Sequence, residues 1–509
     1  MLAKIISAAV VGLDAVPITV EVDIAAMGLP SFTIVGLPDK AVEESKERVR
    51  AAIKNTGADF PPKRIIVNLA PAHLPKEGPA YDLPIALGIL IASEQLRVAE
   101  VDLKDSIFVG ELSLDGNLRR TWGILPVALM AREKKFKNLF ISKDNLQEAQ
   151  ILDKIGVFPA VSLRQLFDHF ATNKKIPKAP FKKLKYEALE SSEYDFENIR
   201  GQESAKRALE IAAAGSHNVL MRGAPGAGKT LMARSFPTIL PKLTFEESLE
   251  VTKIYSVANL LDSDTPIIQT RPFRSPHHTT SHIGLIGGGN VPRPGEISLA
   301  HRGILFLDEF AEFPRHVLEA LRQPMEDGHI TISRAAGSVR FPARFALIAA
   351  SNPCPCGFFG DEKRECTCMP GAITRYQKRI SGPILDRIDI HVAVPAVKVE
   401  KLTKEINAEP SAKIQSRVHG AKEIQLRRFK GTKITSNAEM NNKQLKQFCN
   451  LDDQSILLFK QAISKLNLSA RAFHRVIKIA RTIGDLEGSE KIKSNHVAEA
   501  LQYRPTTDN

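Results

Sequence analysis

The sequence predicts an α/β protein of several domains, with a nucleotide-binding α/β core in its middle and a helical C-terminal end. Three observations carry this: a phosphate-binding octet behind an apolar strand, a second apolar strand ending in two carboxylates, and alternating strand-like and helix-like runs ahead of both. The octet is Gly223-Ala224-Pro225-Gly226-Ala227-Gly228-Lys229-Thr230, entered from Asn218-Val-Leu-Met221. Its glycines let the backbone wrap phosphates with N–H groups pointing inward, Lys229 adds a point charge near the β/γ oxygens, and the Thr230 hydroxyl can ligate Mg²⁺. Downstream, Gly303-Ile-Leu-Phe-Leu-Asp308-Glu309 ends a buried strand on two acids. Asp308 is expected to hold the Mg²⁺, and Glu309 to orient or deprotonate an attacking water. Each pattern has a bland reading alone; together, in this order, they predict a nucleoside triphosphatase.

Composition sets the frame. A chain of 509 residues is too long for one core and suggests roughly three domains. Hydrophobic residues at 43% and charged residues at 25% are ordinary for a globular protein in water, and no apolar run reaches the length of a membrane span. The N-terminus has a weak likeness to a signal peptide, but it continues into the alternating run Pro17-Ile-Thr-Val-Glu-Val-Asp-Ile24 without a cleavage-like site, so a first β-strand of a cytoplasmic protein is expected. The formal net charge of +13 favours a polyanionic partner, nucleic acid foremost, although a basic surface also serves solubility.

The elements follow in order. Residues 1–172 alternate strands (Arg64 to Leu69, Ser106 to Gly110) with helices (Lys40 to Asn55, Leu83 to Glu94). Residues 173–194 contain the lysine- and proline-rich stretch Lys174 to Lys185, read as an exposed linker that could also brush a nucleic-acid backbone. Residues 195–397 hold the nucleotide-binding core. Residues 398–509 read as helices, with periodic apolar positions over Ser455 to Leu466 and Ser469 to Ile483. Inside the core, Cys354, Cys356, Cys366 and Cys368 form a CxC…CxC pair. Four thiolates so spaced can close a tetrahedral structural Zn²⁺ site; the alternative is four reduced thiols on a loop.

The segments Gly36-Leu-Pro-Asp-Lys-Ala-Val-Glu-Glu-Ser45, Ala70-Pro-Ala-His-Leu-Pro-Lys-Glu-Gly-Pro-Ala-Tyr-Asp-Leu-Pro84 and Ser275-Pro-His-His-Thr-Thr-Ser281 closely resemble the ComM/YifB family of bacterial magnesium-chelatase-like AAA+ proteins, over essentially the whole chain. The resemblance implies an N-terminal Lon-protease-like α/β domain, a central AAA+ P-loop α/β domain and a C-terminal helical lid. It also implies a homohexameric ATPase, using ATP and Mg²⁺, that moves DNA branches during natural transformation. By the same resemblance Gln202 lies near the adenine, Asn352 is the polar sensor that positions the lytic water with Glu309, Arg387 is the arginine finger given to a neighbouring subunit, and Arg471 is the lid arginine. The segment Gly328 to Phe341 reads as a hairpin; in related ring motors such a hairpin faces the channel, which would put Arg334 at its tip, with Arg340 on the return strand, against DNA. The Gly/His/Arg-rich stretch Arg271 to Gly289, with His277 and His278, resembles a second pore-facing insert. Adjacent histidines without nearby carboxylates are a weak metal signal.

One departure from Lon-like proteases is plain. Where those carry a catalytic serine, Pro75-Lys-Glu-Gly-Pro-Ala80 has alanine, and the position of the dyad lysine falls near Leu125. Without nucleophile or activator that chemistry cannot run, so a scaffold for subunit or DNA contacts is expected. The whole reads as a DNA-translocating ATPase. The rival is a magnesium-chelatase-type motor that remodels a protein partner.

Overall fold

The computed structural model describes residues 2–172, 174–182, 193–262, 267–289, 292–334, 337–361, 364–396, 408–432, 434–466 and 469–504. The end of the lysine-rich stretch and Leu468 lie outside them. The chain forms two compact units: Met1–Glu187 with Ser248–Ile268, and Ala188–Glu247 with Gln269–Asn509.

The N-terminal unit is built on a four-stranded sheet. Leu2–Val11 pairs antiparallel with Asp14–Ile24, which pairs antiparallel with Arg64–Ala70, and Ser31–Val35 closes the edge in parallel. The alternation in Asp14–Ile24 sends Ile18, Val20, Val22 and Ile24 inward, and the helices Asp82–Ala92 and Ile124–Glu133 pack on this strand. The first of these helices is buried nearly all round, as its run Leu83-Pro-Ile-Ala-Leu-Gly-Ile-Leu90 requires. Gly88 is needed there, since a Cβ would strike the Val22 side chain at 2.5 Å. A parallel three-stranded sheet (Ser106–Phe108, Asn138–Ser142, Gly156–Ala160) completes the unit. Residues 248–268, though distant in sequence, cluster here: the Ser256 hydroxyl donates to the buried Glu148 carboxylate at 2.8 Å, and Arg120 donates to the Leu261 carbonyl at 2.8 Å. Burial raises the Glu148 pKa against the opposing pull of Ser256 and Arg120.

The second unit carries a five-stranded, all-parallel sheet in the order Phe273–Arg274, Ile304–Leu307, Ala346–Ser351, Val219–Gly223, Ile390–Val394. Ile304–Leu307 is buried on both faces, as expected of a central parallel strand. The hairpin predicted from sequence forms, His329–Arg334 pairing with Gly337–Pro342. The C-terminal helices Ser411–Arg428 and Ala470–Leu486 share one hydrophobic core with the alanine-rich helix Glu203–Gly215. Small side chains permit that approach: a Cβ at Gly215 would stand 2.6 Å from the Thr482 hydroxyl. No helix among the described residues is long and apolar enough to cross a membrane.

Candidate nucleotide-hydrolysis site

The site lies at the carboxyl ends of the central parallel strands, where an open α/β sheet presents loops and a helix N-terminus to a ligand. Val219–Gly223 runs into the octet, and the helix Lys229–Ile239 starts from Gly228 at φ 90°. A Cβ built at Gly226 (φ 76°) or Gly228 would meet no atom within 4 Å, so the loop has room beside it for a ligand. Gly223 has a different reason to be glycine, because a Cβ there would run into the Val394 carbonyl of the neighbouring strand.

The side chains converge as the two motifs demand. Lys229 donates to the Gly223 carbonyl (2.7 Å), the Ala224 carbonyl (2.9 Å) and the Asn352 side-chain oxygen (3.2 Å). Burial pulls its ammonium below the ordinary lysine value, and the Asp308 carboxylate opposes that shift. The Thr230 hydroxyl donates to Asp308 at 2.8 Å, bringing together the two groups expected to share Mg²⁺. Glu309 adopts φ 50°, an uncommon conformation for a non-glycine residue. Its amide donates to Asp308 at 2.9 Å, and its carboxylate meets His278 Nδ1 at 3.1 Å. Gln202, also left-handed at φ 62°, donates to the Ala227 carbonyl at 3.3 Å and to the Pro395 carbonyl, so it bridges the loop to the last strand of the sheet. Pro225 packs beside Gly357.

The arginines differ sharply. Arg387 is buried, 6% exposed, donating to the Pro383 carbonyl at 2.6 Å and paired with Glu326. Its carbonyl accepts from Arg475 (3.0 Å) and Asn218 (3.3 Å). Arg475 also pairs with Asp389, a fully buried carboxylate that meets His217 at 3.3 Å. Burial alone would raise the Asp389 pKa, but Arg475 and His217 outweigh it and hold the group ionised. Arg481 sits in the core against Asp485 at 3.0 Å. Arg471 is exposed, in the first turn of its helix. Sequence reasoning gave Glu326, Asp389 and His217 no role. Asp389 stood only two residues from Arg387 and the other two had no local signal, whereas Arg475 lies one turn beyond Arg471 on the same helix.

Arg340 donates toward His329 at 2.8 Å across the hairpin, and Arg334 pairs with Gly337 next to the turn; the Arg334 side chain and the turn residues Ala335 and Ala336 lie outside the described residues. The His277 and His278 rings lie against each other at a tilt of 35°, centroids 4.1 Å apart. The four cysteines bring their sulfurs within 4.8 Å of one another. Cys354 lies 3.3 Å from Cys356 and 3.6 Å from Cys366, and Cys356 lies 3.6 Å from Cys366. A tetrahedral cation with bonds of about 2.3 Å to sulfur needs sulfur–sulfur edges of about 3.8 Å, so the donor set fits such an ion. In the N-terminal unit Ala80 lies in the short 3₁₀ turn Pro79–Tyr81, its carbonyl accepting from Gly110 at 3.0 Å, and Leu125 is buried.

Known proteins match the chain over both of its units. Family models match at residues 195–402 (magnesium chelatase, subunit ChlI), 20–145 (subunit ChlI of Mg-chelatase) and 408–504 (magnesium chelatase, subunit ChlI C-terminal). The chain is 45% identical over 509 residues to the competence protein ComM of Haemophilus influenzae, covering 99% of this chain and 97% of that one. The chain belongs to the ComM/YifB family. YifB of Escherichia coli is 42% identical over 497 residues, covering 97% of this chain and 96% of its own. The magnesium-chelatase 38 kDa subunit of Cereibacter sphaeroides is 26% identical over 176 residues, 31% of this chain and 53% of that subunit. Membership in this AAA+ family implies ATP and Mg²⁺ as ligands, and the Lys229, Thr230 and Asp308 cluster fits both.

Proposed function

We propose that this protein is a ring-forming, Mg²⁺-dependent ATPase that translocates on DNA and drives branch migration of recombination intermediates during natural transformation. The observation that carries the reading is the convergence of Lys229, Thr230, Asp308, Glu309 and Asn352 at the carboxyl ends of the inner strands, on the same unit as the hairpin His329–Pro342 and the insert after Arg274. The net charge of +13 and the likeness to a competence protein support DNA as the partner.

In this reading Lys229 and the loop amides bind the β/γ-phosphates, while Thr230 and Asp308 hold the Mg²⁺. The metal, when bound, neutralises charge on the phosphate oxygens. Glu309 takes the proton of the attacking water and Asn352 orients that water. Arg387 of a neighbouring copy meets the charge that develops on the transferred group, which makes hydrolysis depend on assembly. Arg471 reports the γ-phosphate to the lid. Arg334 and Arg340 follow the phosphate backbone without reading bases. The four cysteines hold one structural Zn²⁺, stapling the loop between the sensor strand and the arginine segment. The N-terminal unit, with Ala80 at the nucleophile position, serves as a scaffold.

The test is ATP turnover with and without single-stranded and branched DNA, across a salt series. A DNA motor is stimulated by DNA, and its binding falls steeply with salt because each neutralised phosphate releases counterions. Turnover indifferent to DNA would favour a motor acting on a protein partner.

A further inference from the structure

We infer that Gly357, on the loop that carries the four cysteines, is a positioning residue for the phosphate loop, so that the metal-held shape of the cysteine loop sets nucleotide affinity. This rests on the proposed roles of the octet as phosphate cradle and of the four cysteines as ligands of one metal ion. A Cβ on Gly357 would stand 2.6 Å from Pro225 Cδ and 2.7 Å from Pro225 Cγ, so the Gly357 backbone lies directly against the Pro225 ring. The same Cβ would stand 3.9 Å from the Asn352 side chain, whose oxygen accepts from Lys229 at 3.2 Å. One residue therefore abuts the third position of the octet and flanks the side chain that engages the octet's lysine. Pro225 is exposed, so burial does not hold this corner of the loop, and its ring fixes φ, so pressure on it moves the loop as a stiff piece.

The cysteines place Gly357 against the proline. In Cys354-Pro355-Cys356-Gly357 the Gly357 amide donates to the Cys354 carbonyl at 3.0 Å, a tight turn that ends on φ 87° and leaves the Cys354 and Cys356 sulfurs 3.3 Å apart. The Phe359 amide donates to the Cys354 sulfur at 3.3 Å and the Cys356 amide to the Cys368 sulfur at 3.4 Å, outer hydrogen bonds of the kind that orient ligands toward a cation. Among the described residues, 352–369 contain no helix or strand, so no ladder of backbone hydrogen bonds shapes this loop. A cation joining four sulfurs that lie within 4.8 Å of one another is then the main tie across it. That tie runs straight to the nucleotide site, since Asn352 lies two residues before Cys354 and Gly357 one after Cys356.

The experiment measures the Kd for mant-ATP with Mg²⁺, and the metal content by elemental analysis, in the full-length parental protein and in Gly357→Ala, Gly360→Ala, Pro225→Ala and the Gly357→Ala/Pro225→Ala pair. Gly357→Ala should keep its metal and raise Kd about tenfold to a hundredfold, the range for forcing a methyl into occupied space. Gly360 controls for backbone strain: at φ 79° in the same loop, with no atom within 4 Å of a Cβ, its change to Ala should leave Kd within about twofold of the parent. In the Pro225→Ala background, where the struck atoms are gone, Gly357→Ala should cost less than about threefold. Stripping the parental protein with 1,10-phenanthroline should weaken binding by a factor similar to Gly357→Ala, and Zn²⁺ should restore it, an arm that stands even where Gly357→Ala does not fold. A parental Kd in metal-bearing Gly357→Ala, an equal loss in Gly360→Ala, an undiminished cost in the Pro225→Ala background, or unchanged affinity after stripping each overturns the inference. If the parental protein does not bind mant-ATP, the nucleotide reading fails instead. If it holds no metal as purified, the reading of the cysteines fails, and the metal half of the inference with it, while the Gly357 arm still judges the contact.

Discussion

Two glycine- and proline-bearing loops in this chain each carry a lysine, and the structure treats them in opposite ways. In the octet, Gly226 and Gly228 face open space and Lys229 reaches along the loop to Asn352. In Pro75-Lys-Glu-Gly-Pro-Ala80 the space is filled. A Cβ on Gly78 would touch the Trp122 indole at 3.4 Å, and Lys76 is fully buried, its ammonium donating to the Pro71 carbonyl. Burial without a carboxylate partner lowers its pKa. A Gly-rich loop with a lysine is therefore a site only where the fold leaves room beside it; filled, it is a packing device.

The comparison can be broken at its strongest point first. Lys229→Ala should weaken nucleotide binding, read by fluorescent-nucleotide titration, and leave the protein without turnover. Arg387→Ala should lower turnover by about 10³-fold or more. Mixed, the two inactive proteins should regain partial turnover, because an intact arginine in one copy can serve an intact loop in the other. No recovery at any mixing ratio would place Arg387 in a structural role with Glu326. Next in size, Glu309→Gln should bind ATP normally and lose about 10²–10⁴-fold in kcat, the range for a missing general base, measured by single-turnover hydrolysis.

Metal removal comes third. Elemental analysis should find one Zn²⁺ per chain, and chelation followed by return to Mg²⁺ alone should lower both the melting temperature and turnover, with Cys356→Ser behaving alike. A metal-free, fully active preparation would contradict this. Smaller again, Arg334→Ala should keep ring assembly and basal turnover yet lose most DNA-stimulated turnover, whereas rings that fall apart on electron micrographs would make Arg334 a subunit contact. The least effect is expected in the filled loop. Ala80→Ser should give no peptidase activity on casein and a melting temperature within about 2 °C of the parent, since adding one hydroxyl at this half-buried position shifts stability by about 0.5 kcal/mol or less and Leu125 offers no activating amine.

Much of this molecule is legible in its sequence. The octet, the Ile304–Leu307 strand with Asp308 and Glu309, the strand reaching Ser351 ahead of Asn352, the hairpin and the paired cysteines are contiguous patterns. Each is encoded by local rules: glycines for positive φ, continuous apolar runs for a buried parallel strand, β-branched runs about a turn for a hairpin. Such patterns fix what a segment can do wherever the chain puts it. Tertiary structure alone decided which segments meet. His278 reaches Glu309 because the strand Phe273–Arg274 lies beside Ile304–Leu307 in the sheet, and Glu326 reaches Arg387 across residues with no periodic relation. Residues 248–268 cluster with the N-terminal unit through Glu148, and the C-terminal helices share the core of the phosphate-loop unit. The physical reason is that strand order and helix docking are set by the summed burial of distant apolar faces, a quantity that belongs to no single segment.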